Sequence, residues 1–407
     1  MPVLMEYVKW VLLKAKKDGK QRLYFLARDG YPMYLVARFL CRHWKLEIDC
    51  RYLKVSRYAL RVPEYHLLGR TCVERICLGG IDVTFEKIMR RAALTKKEIL
   101  EVARLIGYEG YCDQILSYHE IQKLKKKLQQ QEIFFQYVYQ HSQKAYPAAM
   151  GYLMQEGLLE EISYGIVDSG WTGTLQQSLK NLLNSQKQGL SLEGYYFGLY
   201  EIPYGENKEE YHSYYFTPTT GIRRKVYFSN SLFESIFSEP SGMTIGYCRI
   251  EGIYAPIRER MTNLNQAQME RNIELLESYL KEYEKHSFSK KEKCQSDDVR
   301  LVEQLLKNFM GMPAQIEVKA FGGNWFCDDV LEKEVQKVSA DLSEEEIRRQ
   351  HFFRKMFIML GMRKENIHES AWIEGSIVKN GRHVKRNLRQ VRLYKYILYI
   401  RKRIKNK

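Results

Sequence analysis

The stretch Tyr164-Gly-Ile-Val-Asp168-Ser-Gly-Trp-Thr172-Gly-Thr174-Leu-Gln-Gln-Ser-Leu-Lys-Asn-Leu-Leu183 constrains this chain more than any other. Its apolar run ends on a carboxylate, crosses a Gly/Thr turn and continues with apolar residues at helical spacing. That pattern predicts a buried strand, a tight loop and a helix. Gly170 and Gly173 let the backbone turn sharply. Thr172 and Thr174 supply hydroxyls, and the free N–H groups of the following helix point at the loop. The arrangement is a phosphate cradle with an acid beside it, which suits a phosphorylated sugar and its metal ion.

The beginning of the chain repeats the theme. Residues 5–16 carry helical periodicity, a Gly-containing turn follows, and Arg22–Ala27 is a short apolar run. It leads into Arg28-Asp29-Gly30 and a helix over about 33–43. A second strand, 48–55, ends in Ser56-Arg57. Helix, strand, loop, helix, strand is the opening of a parallel βαβ sheet. From about 62 to 160 the periodic segments 85–93, 95–106 and 119–154 predict a helical insertion. Strands then resume at 164–167 and 192–200, with a further one expected at 244–250. Beyond 258 the pattern is helical again: 264–286, 297–310, 342–360 and 383–404. The polar run 281–298 reads as an exposed connection. The expected fold class is therefore α/β, a mainly parallel Rossmann-like sheet. Residues 1–257 form that domain with its insertion, and 258–407 a helical C-terminal region.

With 407 residues and 45% apolar content, the chain has enough material for a large core. Its 30 tyrosines suit carbohydrate surfaces as well as a tyrosine-rich core, and the latter is the simpler reading. The eight cysteines show neither a CxxC pair nor zinc spacing. No basic segment precedes an apolar run at the start, so no secretion signal is expected and the thiols read as reduced and cytoplasmic. The net charge of +16 is concentrated at the end: from Gly375 onward there are twelve Lys/Arg and no Asp or Glu. Interleaved apolar residues make the segment of about 379–407 a basic amphipathic helix. It reads equally as a helix for an anionic membrane surface on the inner face of the plasma membrane or as a terminal helix docked on the body. Nucleic acid is disfavoured, because no nucleic-acid motif accompanies it.

In an open α/β sheet, ligands bind beyond the carboxyl ends of the strands. That edge should gather Arg28-Asp29-Gly30, Lys54-Val-Ser56-Arg57 and Asp168-Ser-Gly-Trp-Thr-Gly-Thr174. Two carboxylates, three basic side chains and two Gly-containing loops suit a polyphosphorylated sugar with Mg²⁺.

At these residues the chain resembles the type I phosphoribosyltransferases. Ile166-Val-Asp168 and Thr172-Gly173-Thr174 are similar to the two ends of their ribose-phosphate signature. Ser169 stands where a second acid is usual, and the loop is shorter. Phe25-Leu-Ala-Arg-Asp-Gly-Tyr31, Val55-Ser-Arg57, Val167–Thr174 and Phe233-Glu234…Gly246-Tyr247 also resemble the region that follows a HAD-type hydrolase domain in bacterial capsule and O-antigen proteins. Some of that group are ribofuranosyltransferases. The resemblance implies a glycosyltransferase of surface polysaccharide biosynthesis. It would move phosphoribose from phosphoribosyl pyrophosphate to a glycan or lipid-linked glycan acceptor. This chain lacks the hydrolase motif Asp-x-Asp-x-Thr, so a separate HAD-type phosphatase would remove the 5-phosphate.

The same resemblance implies roles. Asp168, beside Ser169 and Gly170, would bind ribose hydroxyls or the metal. Thr172, Gly173 and Thr174 would hold the 5-phosphate. Arg28, Lys54 and Arg57, with Gly30 and Ser56, would hold the leaving pyrophosphate. Asp29 and Glu234 are candidate bases for the acceptor hydroxyl, with Glu239 third. Trp171 reads equally as a platform for the acceptor sugar and as a packing residue. Two alternatives remain open: a nucleotide-sugar glycosyltransferase, and a non-catalytic scaffold that kept the fold. The first lacks an Asp-x-Asp metal motif. The second draws on Ser169.

Overall fold

Five strands, β1 (Arg22–Leu26), β2 (Asp49–Leu53), β3 (Tyr164–Trp171), β4 (Glu193–Leu199) and β5 (Tyr211–Phe216), pair in the order β2-β1-β3-β4-β5. All pairs are parallel, with Phe25 opposite both Tyr52 and Val167. The computed structural model describes every residue except 81, 260–264, 287–295, 327–335, 360, 361, 364, 366, 406 and 407. Of the eight cysteines, Cys294 and Cys327 lie outside the described residues, and the other six are free thiols. Of the expected connection 281–298, residues 287–295 also lie outside them, and its two flanks belong to helices that end at His286 and begin at Ser296.

Helix α1 (Pro2–Lys17) precedes the sheet, and α2 (Gly30–Trp44) links β1 to β2. Between β2 and β3 run α3 (Arg57–Leu68), α4 (Val73–Ile76), α5 (Phe85–Arg91), α6 (Lys96–Ile106), α7 (Tyr118–Leu128) and α8 (Glu132–Gln155). Helix α9 (Thr174–Asn184) links β3 to β4. After β5 come α10 (Ile222–Val226), α11 (Asn230–Ile236) and an antiparallel hairpin, β6 (Thr244–Ile250) with β7 (Ile253–Arg258). The C-terminal helices are α12 (Gln266–His286), α13 (Ser296–Leu306), α14 (Gln315–Phe321), α15 (Glu344–Arg349), α16 (Phe352–Met359), α17 (Ile373–Asn380) and α18 (Val384–Lys405).

The period-two alternation of the strands sorts side chains onto two faces. Leu23, Phe25, Val167 and Phe197 pack with α1 and α2, joined by Val302, Leu306 and Trp372 of the C-terminal region. Tyr24, Leu26 and Ile166 pack with Met150 and Leu153 of α8 and with Leu179 and Leu182 of α9. A fully buried Leu or Phe of this kind contributes about 1.5–3 kcal/mol. The C-terminal helices thus share the main core, which α1 and the sheet complete. The insertion has its own core, with Val73, Phe85, Ile88, Val102 and Phe134 at its centre.

Several expectations need correction. The helical stretch 119–154 breaks at Gln129–Gln131 into α7 and α8, where three consecutive glutamines interrupt the apolar periodicity. The insertion begins with α3 at Arg57, because Ser56 caps that helix: its Oγ accepts from the Ala59 N–H at 3.0 Å. The strand at 244–250 exists but lies outside the main sheet, forming a two-stranded sheet with β7 among the described residues. The sequence reading missed β5, whose polar start and tyrosines give no clean apolar run.

Candidate active site at the carboxyl edge of the sheet

Right-handed crossovers place α2 on one face and α9 on the other, since β1 leads outward to β2 and β3 leads the opposite way to β4. The loops after β1 and β3 therefore diverge, and a crevice opens where the strand order reverses.

Asp168 lies within β3, opposite Tyr196, because the strand continues to Trp171. The connection to α9 is only Thr172-Gly173. Gly170 has φ +110° and Gly173 φ +63°; a Cβ there would meet the Gly198 carbonyl oxygen at 2.5 Å and the Tyr211 ring at 2.6 Å. Trp171 adopts φ +74°, the left-handed region that a bulky residue rarely occupies. The Tyr7 hydroxyl, 2.9 Å from the Asp168 carbonyl oxygen and 2.8 Å from that of Tyr195, ties β3 to β4 from beneath.

An acidic pole forms at this point. Ser169 Oγ donates to Asp29 Oδ2 at 2.5 Å, and Trp171 Nε1 donates to Glu234 Oε1. Burial and the neighbouring Asp29 push the Asp168 carboxyl up to about 7, against the Ser169 and Gly170 N–H groups and Arg57. Burial, Asp29 and Asp168 push Glu234 up to about 8, against Arg57 and the Trp171 indole. Asp29 thus acts on both of the other carboxylates, and Asp168 on Glu234, while Arg57 opposes the effect at each of those two.

A basic pole faces them. Arg61 of α3, 4% exposed, donates from Nη2 to Thr174 Oγ1 at 3.0 Å. Thr174 Oγ1 in turn lies 3.3 Å from Thr172 Oγ1. Burial lowers the Arg61 guanidinium to about 10, and Arg57 and Arg75 push the same way against Tyr65 and Glu64. Arg75 bonds Ser178 Oγ at 2.7 Å and Gln177 Oε1 at 2.8 Å on the first turns of α9, and pairs with the buried Glu64 at 3.2 Å. No side chain caps α9, whose N-cap is Gly173, so its first N–H groups face the crevice beside these cations. Sequence reasoning missed Arg61 and Arg75. The signal for Arg61 was its spacing of four from Arg57 on a helix starting at the carboxyl end of β2.

The other predicted residues divide by what they touch. Arg28 Nη1 lies 3.5 Å from the Ser241 carbonyl, and the Arg28 carbonyl accepts from the Glu239 N–H. Gly30 abuts the end of β1, where a Cβ would meet the Phe25 carbonyl carbon at 2.9 Å. Arg57 is exposed and reaches the field of both Asp168 and Glu234. Ser56 is engaged within the protein, since its Oγ also donates to the Thr244 carbonyl at 2.6 Å. The Lys54 backbone holds Tyr152 and Tyr247, and its charge, with that of Arg51, acts on Glu156. Glu239 is occupied by Tyr52, Ser241 and Arg258. The half-buried Trp171 ring packs against Tyr200, Phe216, Phe228 and Phe233, so it has the packing role that was one of its two expected readings.

Among the described residues, only Asp18, Glu193 and His212 bring three metal-type ligand atoms within 4.8 Å of one another. They sit at the opposite, amino edge of the sheet, and Lys14 and Lys20 neutralise the two carboxylates. Asp29, Asp168 and Glu234 are spread too widely to cage an ion by themselves. Hard oxygen donors with excess negative charge do suit Mg²⁺ held by one or two carboxylates and completed by ligand phosphates. No protein-family model and no curated protein sequence matches this chain.

Proposed function

We propose that the crevice binds phosphoribosyl pyrophosphate with Mg²⁺ and transfers its phosphoribosyl group to a glycan hydroxyl, within a type I phosphoribosyltransferase-like fold. The observation that carries this reading is the pairing of two like-charged poles. After burial, Asp29 raises the proton affinity of both Asp168 and Glu234, and Asp168 adds to that of Glu234, while Arg57 and Arg75 weaken proton binding at the buried Arg61. A dianionic phosphate on the basic pole and a divalent cation on the acidic pole relieve both.

In this reading Thr172, Thr174, Arg61 and the first N–H groups of α9 hold the 5-phosphate. Arg28 and Arg57 steady the pyrophosphate. Asp168, supported by Asp29, orients the ribose hydroxyls and the bound cation, which would offset charge on the departing pyrophosphate. Asp29 supplies in space the second acid that Ser169 lacks in sequence. The bond from the anomeric carbon to pyrophosphate breaks as the acceptor oxygen bonds to that carbon. Glu234, held by the Trp171 indole, takes the acceptor's proton. Positioning and charge stabilisation do most of the work. A separate HAD-type phosphatase would then remove the 5-phosphate.

Calorimetric titration with phosphoribosyl pyrophosphate and Mg²⁺, beside UDP- and CDP-sugars, tests the proposal. Tight binding of the first ligand alone is expected. Preference for a nucleotide sugar would overturn it. Binding without pyrophosphate release in the presence of glycan acceptors would instead assign a scaffold role.

A further inference from the structure

Helix α18 presents two apolar faces. One is packed: Leu388 and Val391 are buried with Ile347, Ile373 and Ile377. On the same side Tyr399 stacks on Tyr200, ring centroids 5.7 Å apart, and Lys395 Nζ pairs with Glu374 Oε1 at 2.6 Å. The opposite face is open. Leu393, Ile397, Ile400 and Ile404 are 43%, 42%, 45% and 71% exposed. Their spacing places them in one stripe along the helix.

Charge frames that stripe. At about 3.6 residues per turn, the exposed Arg389 and Arg403 fall on one flank and Arg401 on the other. Val384–Lys405 contains no Asp or Glu. The positive field reaches inward: after burial, Lys402 and Arg403 are the further causes that hold the Lys225 ammonium down at about 8.

We infer that the outer stripe of α18 is a docking surface for an anionic lipid bilayer. Four aliphatic side chains in a row gain by entering the acyl boundary, and the flanking arginines reach headgroup phosphates as they do so. A second copy of the chain would set these arginines against their own kind. Nucleic acid would use the charges but give the stripe no apolar partner. This inference stands apart from the proposed catalysis, since the stripe contains none of the crevice residues.

The test is vesicle flotation of the full chain with phosphatidylcholine, with and without phosphatidylglycerol. Binding only to the anionic vesicles, weakening as salt rises, is expected. Ile397→Glu/Ile400→Glu and Arg401→Glu/Arg403→Glu should each lower the bound fraction at least about tenfold, with circular dichroism, unfolding temperature and donor binding unchanged. If the double glutamate variant misfolds, Ile400→Gln alone should still weaken binding. Three outcomes overturn the inference: equal binding by variants and parent, no preference for anionic lipid, or a dimer in sedimentation that the isoleucine variants convert to monomer.

Discussion

Arg61 Nη2 donates to Thr174 Oγ1 at 3.0 Å, setting a nearly fully buried guanidinium against the first residue of α9. Burying a cation beside a hydroxyl, and among other arginines, costs stability. A phosphate in the same place would recover that cost as charge-assisted hydrogen bonds. Arg61→Met should therefore leave urea stability unchanged or raised by up to ~1 kcal/mol. It should weaken binding of phosphoribosyl pyrophosphate at least about tenfold in calorimetry. Undiminished affinity would remove Arg61 from the site.

Asp168 makes stability depend on pH in a definite direction. Its folded-state proton affinity is raised from an ordinary value near 3.8 to about 7. The resulting stability is complete below pH ~4 and is lost as pH rises through about 7. Asp168→Asn avoids that loss. It should be more stable than the parent at pH 8 by ~2 kcal/mol, about half of what the full shift would give, because the side chain is partly solvated. The two proteins should unfold at the same urea concentration near pH 4. The same variant should abolish transfer.

Glu234 reaches about 8, so as a base in the free protein it ionises only in mildly alkaline solution. Transfer measured as pyrophosphate release, at limiting acceptor, should rise between pH 7 and 9. Glu234→Gln should lower the rate by roughly 10²–10⁴ and flatten the profile. A profile unchanged in the variant would return the base role to Asp29.

Gly173→Ala tests the turn. The left-handed backbone, with φ +63°, and the Tyr211 ring carbon 2.6 Å from the new Cβ both oppose the methyl group. A loss of ~2 kcal/mol in chemical denaturation is expected.

Ser56→Ala separates capping from ligand contact. Loss of the bond to the Ala59 N–H should cost ~1 kcal/mol. Donor affinity should stay unchanged, because the hydroxyl is already committed inside the protein.

How much was visible beforehand depended on whether the signal was local. Alternating and helical hydrophobic periods are local, so β1, β3, β4, α2, α6 and α9 could be read from the sequence, as could the Asp168–Thr174 turn with its two glycines. Strand 244–250 was legible as a strand, but its partner was not, because pairing is chosen by neighbours in space.

Backbone preference and hydrophobic period act over a few residues, and they already specify a parallel α/β sheet with a Gly/Thr turn after an acid-bearing strand. The company each side chain keeps was set by long-range folding. Trp171 became a packed donor to Glu234, Ser56 a helix cap and Lys54 a backbone anchor. Arg61, unremarkable in the sequence, became the buried cation of the turn. Proton affinity, ion pairing and exposure follow from the charges and solvent within a few ångströms, and chain folding brings those together from residues as far apart as Asp29 and Glu234.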